Sequence, residues 1–253
     1  KKLKEEGAII LAKANMSEFA SSGRNSRSTL GGVVHNPYDV TRTPAGSSGG
    51  TAVAITSNFA TAGLGTDTGS SVRAPSTMNN LFGLRVSLGL TSRDGIVPLS
   101  LDNDIAGPIC KSAEDLAQVL SVISGTDEND TWTKEADNMK PESGYTSYLK
   151  TDGLKGKKIG YLQNSFGYYY NNKGEAVENP VEIADCEKGI LETAKDNLVK
   201  GGAELVDMSD ILPDSLIYQL RQNTGVGSVF EWDLNTYFAS LGPAAPIKTV
   251  YES

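Results

Sequence analysis

Two short segments hold the residues best suited to chemistry: GSSGG at Gly46–Gly50 and GTDTGSSVR at Gly65–Arg73. Ser47 and Ser71 stand 24 positions apart, and mostly small or apolar residues fill the gap. A serine hydroxyl is a poor nucleophile near neutral pH. It needs a base beside it and hydrogen-bond donors aimed at the oxyanion that forms on attack. Glycines let the backbone come close to a reacting carbonyl, and a turn of small residues can point several N–H groups at one spot. Taken singly each segment is a weak signal, and GSSGG alone reads as a flexible linker or a helix N-cap. Set within PAGSSGGTAVA and GLGTDTGSSVRAPS, the pair reads as the centre of a serine hydrolase.

Other chemistries fit less well. GSSGG matches the G-x-S-x-G elbow with Ser48 central, but an elbow follows a strand, and the preceding NPYDVTRTPA carries two prolines. That elbow also needs a later histidine, whereas the single histidine, His35, precedes it and reads as a loop hydrogen-bonder. No GK[ST] follows the glycines, so a phosphate loop fails. The carboxylates of GTDENDTW lack the spacing and central glycine of a calcium loop and read as a solvated turn. Cys110 and Cys186 sit in no CxxC or Cys/His pattern, so they read as buried fillers, with no metal site implied.

The elements that must position the serines can be traced along the chain. KKLKEEG reads as the last turn of a helix closed by Gly7, followed by a strand at Ala8 to Leu11. NMSEFA reads as a short capped helix, and Ser21 to Pro44 as irregular. A buried small-residue helix is expected over Gly49 to Ser57, extended chain over Ala60 to Thr68, and helix again over Arg73 to Leu81. Ser112 to Gly125 is an amphipathic helix, with Ser112 and Asp115 as its capping box and Leu116, Val119, Leu120 and Ile123 as its apolar stripe. Beyond it, a polar excursion leads to a strand at Lys158 to Leu162. The insertion NSFGYYYNNKGEAVEN follows, then a long helix with Pro180 near N1 and Ile183, Ile190, Ala194 and Leu198 on one stripe. Gly201 and Gly202 end that helix before a strand at Ala203 to Val206.

With 253 residues, 38% hydrophobic and 21% charged, the chain can bury a sizeable core and is not disordered. A net charge of −8 argues against direct nucleic-acid binding, and no apolar run approaches a membrane span. A small-molecule or peptide substrate is the better expectation. Both ends read as cut inside a longer protein. Cytoplasmic residence is the simpler expectation, with secretion left open by the truncated start.

The serine blocks, together with GAIILAKANMSEFA, NPYDVTRTPAGSSGG, GLRVSLGLTSRDGIVPLS and LDNDIAGPICKSAEDLA, resemble the amidase-signature family along nearly all of Gly7 to Asp130. The resemblance implies an α/β fold: a large mixed sheet core covered by helices on both faces, incomplete in this chain. It also implies a single domain over 1–253, with its signature core at about 7–130 and a peripheral α/β part at about 131–253. The implied reaction is hydrolysis of a carboxylic amide without cofactor or metal. Ser71 would be the nucleophile and Ser47, on a cis peptide bond, the proton relay. Backbone N–H groups of Thr68, Gly69, Ser70 and Ser71 would form the oxyanion hole. Asp67, Arg73 and Ser48 would support the site. Ser70 replaces a residue that is more often glycine in the family, which narrows the allowed torsions while keeping the donor.

The family's base is a neutral buried lysine in a segment upstream of AIILAK, which this chain does not contain. Lys13 matches a different family position and reads as structural or pocket-lining. The chain alone is therefore expected to be nearly inactive. The same resemblance admits the glutaminase-like component of a tRNA-dependent amidotransferase, or a non-catalytic binding descendant. A homo-oligomer is compatible with either.

Overall fold

The computed structural model describes residues 1–163, 168–171, 175–178, 181–213, 215–216, 218–219 and 229–252. They belong to two compact units, one of Lys1–Ser147 with Val226–Ser253 and one of Tyr148–Gly225. The fold is α/β. Its described strands form separate sheets of two or three strands, antiparallel in the first unit and both parallel and antiparallel in the second.

In the first unit, a short helix α1 (Lys2–Glu5) is followed by extended chain and by a two-residue ladder of β1 (Arg27–Ser28) with β2 (Gly32–Val33). Then come α2 (Gly49–Thr56), β3 (Ala62–Thr66), α3 (Arg73–Met78), β4 (Phe82–Gly83), β5 (Ala106–Cys110) and α4 (Ala113–Ile123). β5 is the central strand, pairing antiparallel with β3 (Thr66 opposite Ala106, Ala62 opposite Cys110) and with β4. All five of its residues, AGPIC, are buried, as expected of a strand paired on both edges beneath packed helices.

Two apolar clusters hold this frame. Ile55 of α2 packs with Val72 and Ile109, while Leu120 of α4 packs with Val86, Leu90 and Ile105. Each such side chain contributes about 1.5–3 kcal/mol when fully buried. α2 is built of GGTAVAIT, small and apolar around its whole circumference, so it can lie deep without exposing a polar face. α4 is amphipathic. Its cap is Ser112, whose Oγ accepts from Asp115 N at 3.0 Å and donates to the Asp115 carboxylate at 2.7 Å. A short helix, α5 (Ala136–Met139), lies in the polar excursion.

The second unit pairs β6 (Lys158–Tyr161) in parallel with β9 (Glu204–Asp207), and β7 (Tyr168–Tyr170) antiparallel with β8 (Ala176–Glu178). α6 (Val181–Lys200) connects the hairpin to β9. Pro180 and the side chain of Ile183 lie outside the described residues. Back in the first unit, α7 (Phe230–Ser240) closes the described elements.

Three expectations are corrected. Ala8 to Leu11 is extended chain with no strand partner among the described residues. Ile9 is 83% and Leu11 68% exposed, so the apolar run lacks the neighbour that would make it a strand. In α6 the buried face carries Leu191, with Leu198 half-buried, while Ile190 is 66% exposed. The packing face is thus rotated by one residue, and Lys195 lies on it with its ammonium 4.7 Å from the Tyr161 ring centroid. GTDENDTW is more than a solvated turn, because Asp130 is buried and accepts from Arg93 N at 2.9 Å and Arg93 Nε at 3.1 Å. That guanidinium also sits 5.4 Å from the Trp132 ring centroid.

Candidate active site

β3 delivers the chain into a turn at 67–72 before α3 begins. The turn is wound around the Asp67 carboxylate, which is fully buried. Its Oδ2 accepts from Val72 N (3.1 Å), Arg73 N (3.3 Å) and Arg73 Nε (3.1 Å); its Oδ1 accepts from Arg73 Nη2 (3.2 Å) and Arg85 Nη1 (3.2 Å). Burial alone would raise the pKa of this acid. Hydrogen bonds from the Arg73 side chain and from the Val72 and Arg73 amides outweigh burial and hold the carboxyl below its ordinary value. Arg73 also donates to the Gly69 carbonyl, and Arg85 to the Asp67 carbonyl.

This winding uses the amides of Val72 and Arg73 and leaves out those before them. The N–H groups of Thr68, Gly69, Ser70 and Ser71 find no acceptor among the described residues. Gly69 is exposed, with open space where a Cβ would point. Ser70 does not occupy the left-handed region, so a serine fits this backbone. A Cβ on Gly23 would come within 3.0 Å of the Ser70 hydroxyl, so a glycine there leaves room for the serine side chain.

The other serine block enters the same place from the start of α2. Ser48 N donates to the Ser71 carbonyl at 3.2 Å, while Ser48 Oγ bonds both the N–H and the C=O of Thr66 at 3.2 Å. Ser48, next to Ser47, is thereby tied to Thr66 before the 67–72 turn and to Ser71 near its end. The Gly46–Ser47 peptide is cis. At Gly46 a Cβ would collide with the Asn25 carbonyl oxygen, which leaves no space for any other residue. Ser26, fully buried, secures the segment: its Oγ lies 2.9 Å from the Ser47 carbonyl and accepts from Gly49 N at 2.9 Å, capping α2 from outside the helix.

Ser47 is completely buried, and its Oγ has no hydrogen-bond partner among the described residues. A buried hydroxyl left unpaired costs about 1–3 kcal/mol. Ser71 is only 4% exposed and its hydroxyl is likewise without a partner among the described residues. Lys13 is exposed in extended chain and makes no bond to either serine. His35 lies in a loop, its Nδ1 donating to the Val40 carbonyl at 2.8 Å. Cys110 is fully buried and its thiol is pushed up to about 11 by desolvation, whereas Cys186 is exposed. Among the described residues no three His, Cys, Asp or Glu side chains gather as a metal cage, and no helix is long and apolar enough to cross a membrane.

Four residues that sequence reasoning missed complete the surroundings: Ser26, Arg85, Asp104 and Asp233. Arg85 bridges Asp67 to the Asn103 carbonyl (2.8 Å), and Asp104 accepts from Thr68 Oγ1 at 2.5 Å. Asp233 of α7 accepts from Leu101 N at 2.8 Å. The available signal was that Arg85 and Asp104 are charges standing directly before the largely apolar segments VSLGL and IAGPIC.

Known proteins resemble this chain in sequence and in fold. The family model described as Amidase matches residues 1–205. The protein named probable amidase in Arabidopsis thaliana is 42% identical over 169 residues, covering 64% of this chain and 32% of that protein. A protein named as a component of glutamyl-tRNA(Gln) amidotransferase in Thermoanaerobacter pseudethanolicus is 39% identical over 211 residues, covering 82% of this chain and 39% of that protein. The native peptide amidase of Stenotrophomonas maltophilia superposes with a TM-score of 0.80 at 33% identity, over 99% of this chain and 48% of that one. The chain thus spans from 32% to 48% of the length of these relatives. From the extent of the family match and the agreement in fold, the chain belongs to the amidase family.

Proposed function

We propose that the protein carrying this chain hydrolyses a small-molecule or peptide carboxylic amide through an acyl-enzyme on Ser71. The observation that carries this reading is the run of four amides, Thr68 to Ser71, with no acceptor among the described residues, ending on a serine whose carbonyl is bonded to the block holding the buried Ser47. The Ser71 hydroxyl attacks the amide carbon and passes its proton to Ser47 Oγ. The carbonyl oxygen, now negative, lies against the backbone N–H groups of the turn, fixed dipoles that need no reorganisation as charge develops. Collapse expels ammonia or an amine with a proton returned through Ser47, and water then releases the acid. The base that drains Ser47 is the lysine implied by the family resemblance. The Ser47 hydroxyl, without a partner among the described residues, is the atom it would serve.

The test is ammonia or amine release by the whole gene product that carries this chain, on a panel of simple amides, C-terminal peptide amides and glutamine. Ser71→Ala should abolish hydrolysis and Ser47→Ala should reduce it by orders of magnitude. Full activity in Ser71→Ala would end the reading. A second reading, the glutaminase-like component of a tRNA-dependent amidotransferase, is favoured by the 39% identity to such a component. Glutamine as the sole productive substrate, with other chains co-purifying in a stable complex, would select it.

A further inference from the structure

We propose that Asp104 is a positioning residue for the oxyanion turn, acting through the hydroxyl of Thr68; this rests on the assignment of the Thr68 to Ser71 amides as the oxyanion site. Asp104 is 4% exposed and has no cationic partner among the described residues. Its two oxygens do different work. Oδ2 accepts from Leu99 N at 2.8 Å and Ser100 N at 3.0 Å, which closes the 99–104 loop on itself. Oδ1 leaves the loop and takes the Thr68 hydroxyl at 2.5 Å, across 36 positions of sequence.

A residue that only shaped its own loop would need one oxygen, and a neutral Asn or Ser could supply it. The second oxygen makes a short, charge-assisted bond to the first residue of the amide run. Thr68 is β-branched, so holding its Oγ1 holds its χ1 and, through it, the backbone that aims its own N–H and the next. The anchor is itself fixed. Asp233 of α7 accepts from Leu101 N, Asp67 N donates to the Ile105 carbonyl at 3.0 Å, and Arg85 joins Asp67 to Asn103. A carboxylate beside a developing oxyanion is electrostatically unfavourable, so the benefit must be geometric: the amides stay aimed at the place where the oxyanion will sit.

The experiment compares Thr68→Val, Thr68→Ser and Asp104→Asn in the whole gene product. The readouts are kcat, KM, thermal midpoint, and inhibition by a peptide aldehyde, whose serine adduct carries an oxyanion, and by the product acid, which does not. Thr68→Val should lower kcat ~10- to 100-fold with KM within ~2-fold, on the scale of losing one oxyanion donor or somewhat less. Aldehyde affinity should fall by the same factor as kcat while acid affinity stays put, and Thr68→Ser should restore most of both. Asp104→Asn keeps an acceptor for the loop amides and should show the same pattern at smaller size, so the proposal stays testable if Thr68→Val folds poorly. It is overturned if both variants keep kcat, or if kcat falls while aldehyde and acid binding change alike. Activity surviving Ser71→Ala would instead overturn the underlying reading, and the two failures are therefore distinct.

Discussion

Replacing Asp67 by Asn probes the frame of the site through a single charge. In the native protein the carboxylate is fully buried and accepts from two backbone amides and two guanidinium groups. Removing one partner of a buried ion pair costs about 3–5 kcal/mol. The Arg73 side chain is 49% and Arg85 27% exposed, so both can recover some hydration, and the Asn oxygen still serves the Val72 amide. The expected loss is therefore nearer ~2–3 kcal/mol at pH 7, a factor of roughly 30 to 150 in the unfolding equilibrium. The sign of the pH dependence follows from a folded pKa held below the ordinary 3.8. The stabilisation is fully present above about pH 5 and is lost progressively as pH falls past the ordinary value and through the folded one, because wild-type Asp67 then becomes neutral like Asn. Urea titrations of both proteins from pH 7 down to pH 3 would read the difference directly. A gap under ~0.5 kcal/mol at pH 7, the usual scale of a surface substitution, would refute the reasoning; so would a gap that stays constant into acid.

Other consequences are simpler to check. Of the two cysteines in this chain, only exposed Cys186 should react quickly with a disulfide reagent at pH 8. Cys110, buried with its thiol at about 11, should react only on unfolding, and two fast thiols in the native state would contradict its placement. These 253 residues expressed alone should hydrolyse amides no faster than their own Ser71→Ala variant, because Ser47 Oγ meets no base among the described residues and Lys13 is exposed. Turnover sensitive to Ser71→Ala in that chain would show that a base had been overlooked.

Local chemistry was legible in the sequence where neighbours in space are also neighbours in the chain. The small-residue helix at Gly49–Thr56, the extended course of the chain through Ala62–Thr66 and the capped helix at Ala113–Ile123 each follow from their own composition and spacing. The residues that secure the site were not legible, because their bonds span long gaps: 21 positions from Ser26 to Ser47, 18 from Arg85 to Asp67 and 36 from Asp104 to Thr68. No period in the sequence marks such partners. The apolar run at Ala8 to Leu11 failed as a strand for the converse reason. Its composition suits a strand, but a strand exists only when another backbone pairs with it, and Ile9 to Leu11 find none among the described residues. In α6 the error was one of phase, since Ile190 and Leu191 are adjacent and only packing decides which faces inward.

The proposed mechanism requires that Ser71 become acylated during amide cleavage. The direct measurement is acid-quenched mass spectrometry of the whole gene product mixed with a slowly deacylating activated substrate, followed by peptide mapping. The expected result is a mass increase equal to the acyl group, located on Ser71, absent in Ser71→Ala and slow to form in Ser47→Ala. Amide turnover with the adduct on another residue, or with no dependence on Ser71, would contradict it.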